Sequence, residues 1–144
     1  MPPRQTLSIQ ILRNRRRRAE DWIDYASWTA IATGVLGSVF ILAIGLSGRS
    51  SFIAAVVPLL ASLAGQVLAG YKLRERDQWA GWGLMASYIA SFAVSILVYG
   101  VWRGILFKLI IGFVYVRGWL GTLDYAELTK QIDEANRAAT GDAA

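Results

Sequence analysis

The chain has 144 residues, 55% of them apolar, a formal net charge of +5, and neither cysteine nor histidine. Those absences exclude disulfides, thiolate metal sites and cysteine nucleophiles, and they remove the commonest metal ligand, general base and pH switch together. The length allows one domain, and the apolar residues come in runs of about twenty between short charged stretches, the distribution of an integral membrane protein.

Residues 1–27 form a basic segment that is too long and too charged to be a secretory signal. Arg13, Arg15, Arg16, Arg17 and Arg18 are followed by Glu20, Asp21 and Asp24. Their first role is to anchor the topology, and their second is contact with anionic lipid headgroups. No aromatic residue is interleaved with the run, which argues against nucleic acid. Leu7, Ile11, Leu12, Trp22 and Ile23 suggest a short helix lying on the membrane surface.

The first span is predicted at 28–47, with Ala30, Gly34 and Ser38 spaced by four as a small-residue stripe for close helix packing. A polar turn from Ser47 to Ser51 separates it from the second span, 52–71. There Pro58, near the middle, removes one backbone hydrogen bond and is expected to kink the helix. Ala61, Gly65 and Ala69 make a second stripe, beside Ser62 and Gln66. A buried amide needs partners for both its oxygen and its nitrogen, so Gln66 reads as a joint between helices or a contact for a partner subunit.

Lys72 to Asp77 is a charged loop, and the third span, 79–100, carries no charge over 22 residues. That length reaches about 33 Å as helix, enough to cross a bilayer core of about 30 Å. Gly83, Ser87, Ser91 and Ser95 give the longest small-residue stripe. The pairs Trp79 with Trp82 and Tyr99 with Trp102 fall where the two headgroup layers are expected. After a turn at Val101–Gly104 comes a fourth segment, 105–123, whose clean apolar run from Leu109 to Val116 is short. It crosses if Lys108 and Arg117 reach toward opposite headgroup layers. The alternative is a helix lying in the interface, and crossing is the favoured reading.

Residues 124–144 read as a separate, soluble C-terminal helix. Asp124 with Glu127 fits a capping box, and Leu128, Ile132 and Ala135 form a narrow apolar stripe ahead of a fraying end. With four spans, both termini and the 72–78 loop share one side. That side holds twelve basic residues against two or three on the other, which predicts cytoplasmic termini. The order of a basic N-terminus, two spans, a basic loop ending in tryptophan and two more spans resembles small bacterial four-span proteins. The words that carry it are Gly70-Tyr71-Lys72-Leu73-Arg74 before Trp79, and Arg117-Gly118-Trp119 before Leu128. The resemblance implies an inner membrane and carries over no functional residue.

The expected fold is therefore an all-α bundle of four transmembrane helices with a short C-terminal amphipathic helix. No cofactor, metal site or catalytic constellation is expected. Every carboxylate lies in a tail or in the charged loop, no serine has a nucleophile-elbow context, and no glycine run cradles phosphate. The expected partners are membrane lipids and a second membrane protein or a second copy. The first functional expectation is an accessory or assembly subunit of a larger complex, working through the small-residue stripes. The alternative is a homo-oligomeric channel, transporter or permeabilising protein with a path along Ser62, Gln66, Ser87, Ser91 and Ser95.

Overall fold

A computed structural model of the protein describes residues 3–45, 53–99 and 105–141, with side chains over 9–43, 56–97 and 105–138. The expected turns at 47–51 and 101–104, the frayed end at 142–144 and the Tyr99–Trp102 pair of side chains lie outside these described residues. Four helices make up the rest: α1 (Pro3–Gly45), α2 (Ile53–Arg74), α3 (Gln78–Tyr99) and α4 (Ile105–Gly141). No strand occurs among the described residues. All four helices are long and apolar enough to cross a membrane, so the fourth segment, left open by the sequence, has the length it needs.

The helices form a ring in which α1 packs on α2 and α4, and α3 packs on α2 and α4. The α3–α4 seam is the slightest of the four. Ile23, Ala30, Ala69, Leu73, Ala80, Leu84 and Tyr115 form the main core, drawn from every helix, while Ile41, Leu59 and Leu63 form a second cluster between α1 and α2. Gly34 sets the α1–α2 approach, since a Cβ there would lie 2.5 Å from a Val67 methyl and 2.9 Å from the Leu63 carbonyl oxygen. Ser27 fixes the other end of that pair by donating to the Gly70 carbonyl at 2.7 Å.

Two sequence boundaries are corrected. The N-terminal segment is not a separate surface helix. It runs without a break into the first span, making α1 43 residues and about 64 Å long. No proline or glycine interrupts residues 4–33, and Ala19, Ile23, Ala26 and Ala30 form one continuous buried stripe through the supposed junction. Likewise the C-terminal helix is not separate: Asp124 sits in the interior of the 37-residue α4 and caps nothing. Gly118 and Gly121, which look like breaks, are points of close approach to α1. A Cβ on Gly118 would fall 2.1 Å from that of Ala26, and one on Gly121 would fall 3.0 Å from the Ala19 carbonyl oxygen. Pro58 lies in the second turn of α2, not its middle, and the helix continues through it.

One true turn is described. Glu75 and Arg76 donate backbone bonds of 3.0 Å to the carbonyls of Lys72 and Leu73, closing α2. Arg76 itself is left-handed, with φ 61°, and its guanidinium bonds Asp24 of α1 at 2.8 Å. Asp77 then opens α3 by accepting the Trp79 backbone N–H at 2.9 Å, the usual work of an N-cap aspartate. This loop, the start of α1 and the end of α4 share one end of the bundle, since Arg16 and Arg76 both lie over the Tyr125 ring. Beyond the loop only α1 and α4 continue, as an antiparallel two-helix stalk of about 24 Å. Ile9 and Ile132 are buried in that stretch, and Leu128 and Ala135 are half-buried as the predicted stripe requires.

Candidate functional site

At the loop end, every helix contributes an aromatic residue at one level, where a headgroup layer belongs: Trp22 and Trp28 of α1, Tyr71 of α2, Trp79 and Trp82 of α3, and Trp119 of α4. Two of the indoles carry cations, with Arg74 4.3 Å from the Trp28 ring and Arg117 5.7 Å from that of Trp22. Trp82 and Trp119 meet edge to face at 4.6 Å, made possible by Gly81, where a Cβ would lie 2.6 Å from the Trp119 ring.

Deeper in the bundle lies a buried polar knot. Tyr115 of α4 is fully buried, its hydroxyl 2.6 Å from Thr33 Oγ1 of α1 and 3.4 Å from Gln66 Oε1 of α2. Thr33 also reaches the Thr29 carbonyl at 2.7 Å. Two hydroxyl protons serve three contacts, so only two bonds exist at a time. The distances favour Thr33 donating to Thr29 and Tyr115 donating to Thr33. Gln66 lies beside this pair, buried, with its oxygen 3.4 Å from the Tyr115 hydroxyl, and it receives that proton only when Tyr115 gives up the bond to Thr33. Tyr115 is the member the sequence reading missed. Its signal was a lone tyrosine in an otherwise apolar run, since a buried phenol needs a partner.

Lys108 is engaged by α3. Its ammonium bends inward to α3, donating to Ser95 Oγ at 2.5 Å and lying 5.4 Å from the Phe92 ring. The adjoining Lys108 carbonyl accepts from the Tyr88 hydroxyl at 2.5 Å, so the pair ties α3 to α4 twice. Arg117 does lie at the aromatic level.

The serine stripe of α3 is not one face. A spacing of four turns about 40° further at each step, and accessibility follows that drift: Gly83 is exposed, Ser87 and Ser91 are half-buried, and Ser95 is buried. Ala61, Gly65 and Ala69 wind inward in the same way, while Ala30 and Gly34 are buried and Ser38 is half-buried. Most of these small residues are used inside the bundle, as where a Gly65 Cβ would lie 3.2 Å from that of Ser87. The hydroxyls of Ser62, Ser87 and Ser95 bond the carbonyls of Leu59, Leu84 and Phe92 three residues back. Ser38 bonds Gly34 in the same helix. Among the described residues, none of these serines lines either of the two cavities described below.

What α3 turns outward is a different set. Gly83, Ala86, Ala90 and Ala93 are all exposed, between exposed Trp79 and Leu97. Only 17% of the α3 apolar window is buried, against 39% for α2, which makes it the least covered span.

The arginine run winds around α1. Arg16 pairs with Glu20 at 3.6 Å, Arg13 and Arg17 are exposed, and Arg15 and Arg18 face α4 across a cavity of about 490 Å³. Its α4 wall carries Arg117, Asp124 and Glu127, and Trp22 contributes from α1. A second, apolar cavity of about 250 Å³ lies between α3 and α4, lined by Tyr88, Phe92, Leu109, Gly112, Phe113 and Val116 among others. No group of three or more carboxylates that could hold a metal ion occurs among the described residues. Compared with models of protein families, with curated proteins and with solved structures, the chain matches none.

Proposed function

We propose that this small integral membrane protein is a non-catalytic accessory or assembly subunit, docking a helix of a larger membrane protein against α3. The observation that carries this reading is the outward face Gly83, Ala86, Ala90 and Ala93. Small side chains let a second helix approach closely, and packing of that kind is what holds helices together in lipid, where burying leucine against leucine gains little. The stripes first suspected of this role are largely spent within the bundle, so the docking face keeps Gly83 and adds Ala86, Ala90 and Ala93, which the spacing-of-four pattern passed over. The stalk and termini belong to the cytoplasmic side of a bacterial inner membrane on this reading, following the charge bias.

The natural absence of cysteine makes the test clean. Single cysteines at Ala86, Ala90 and Ala93 are reacted with a bifunctional thiol–amine reagent in native membranes, with Leu106 on the exposed face of α4 as control. The expected product is a discrete band with a different, larger protein from the α3 positions alone. A band at twice the monomer mass would transfer the face to a second copy of the chain and favour the oligomeric channel. Equal labelling from α3 and α4, with no discrete product, would overturn the docking role.

A further inference from the structure

We infer that the groove between α1 and α4 at the base of the stalk holds the headgroup of an aminophospholipid, its phosphodiester on Arg15, Arg18 and Arg117 and its primary ammonium on Asp124 and Glu127. Four observations converge on this. The groove opens at the aromatic level and rises from it, which is the depth of phospholipid headgroups. Its volume of about 490 Å³ lies within the ~300–1,000 Å³ usual for small-molecule sites. Its charges are unspent: Arg16, Arg76 and Lys72 each have a carboxylate within 4.0 Å, whereas none of the five charged groups named here has an ion pair among the described residues. Arg117 stacks on Trp22 and Phe113, which holds a guanidinium fork at the membrane end, where a phosphate arrives first.

The region below adds to these four. Leu109, Phe113 and Val116 on the same outward face of α4 line the apolar cavity against α3, and the Phe113 ring meets Trp22 edge to face at 6.1 Å. The charged groove therefore continues into an apolar one that accepts an acyl chain. The two carboxylates decide between headgroups. They repel a headgroup that is only anionic, and they accept hydrogen bonds from a primary ammonium, which a quaternary choline cannot donate. Glu127 is preset for this, its other contact being the Gln131 amide at 2.9 Å.

The test is lipid retention by delipidated protein offered phosphatidylethanolamine, phosphatidylglycerol and phosphatidylcholine of the same chain length, read by native mass spectrometry. The expected order places phosphatidylethanolamine first. R18Q/R117Q is expected to lower its retention about two- to five-fold, the range for losing solvent-exposed ion pairs. D124N/E127Q lowers phosphatidylethanolamine retention while raising that of phosphatidylglycerol. Both pairs are exposed side chains, and unchanged helical circular dichroism confirms that the fold is kept. Preference for phosphatidylglycerol in the wild type, or indifference of phosphatidylethanolamine to D124N/E127Q, would overturn the assignment. So would retention of glycerophosphoethanolamine, which shares the headgroup and lacks the chains, in preference to the lipid when both are offered at equal concentration.

Discussion

At the scale of single residues, the loop between α2 and α3 shows a backbone cost offset by side-chain contacts. Arg76 holds a left-handed conformation that an L-residue adopts at roughly 1–2 kcal/mol. It stays there because its guanidinium bonds Asp24 and lies over Tyr125. Replacing Arg76 with alanine removes those contacts and keeps the backbone cost, whereas glycine removes both. The glycine variant is therefore expected to be the more stable of the two by about 1 kcal/mol. Unfolding in detergent, followed by circular dichroism, measures the difference, and equal midpoints would show the turn to be relaxed. Arg76 was legible in the sequence only as part of a charged loop, because nothing local marks a left-handed arginine. Asp77, two residues before Trp79, carries a capping pattern that the charged-loop reading passed over.

At the scale of helices, the closest joint is Gly118 of α4 against Ala26 of α1. A methyl group on Gly118 has nowhere to go, so Gly118→Ala is expected to destabilise the bundle by about 1–3 kcal/mol, the range for overpacking. Ala26→Gly in the same chain is expected to restore most of the loss, and the same unfolding measurement on the double variant checks it. The first three spans were plain from the sequence because charge is absent from runs of that length, whereas Lys108 and Arg117 interrupt the fourth and left its crossing open. The helix ends were not, because the capping pattern at Asp124–Glu127 and the onset of hydrophobicity at Trp28 are local signals. A continuous stripe of α1–α4 contacts overrides both. The role of Gly118 and Gly121 was hidden for a related reason. They are three apart, and the search for spacings of four passed over these two buried glycines that meet α1. The same search chose Ser87 and Ser91 over Ala86 and Ala90, and so mistook a winding line for a face.

At the scale of the whole molecule, the protein is an unequal ring: two short helices confined to the bilayer and two long ones that leave it together. The uncommitted surfaces are accordingly of two kinds, an apolar face on α3 within the membrane and a charged groove on α1 and α4 at its edge. Composition foretold both chemistries, but not their positions, because position depends on which helix neighbours which. Of the arginine run, winding about α1 leaves only Arg15 and Arg18 facing α4, so the proposed lipid contact is confined to those two.

Because α1 passes from bilayer to stalk as a single helix, the two parts share one rotational phase. One alanine inserted between Glu20 and Asp21 would turn everything upstream by about 100°. Ile9 would face water and Arg15 would leave the groove. Seven inserted residues, close to two whole turns, would bring the same side back toward α4. Limited proteolysis is expected to open the stalk after the first insertion and spare it after the second, with the membrane bundle intact in both. A rotation of α1 within the membrane would, on this geometry, turn the stalk with it.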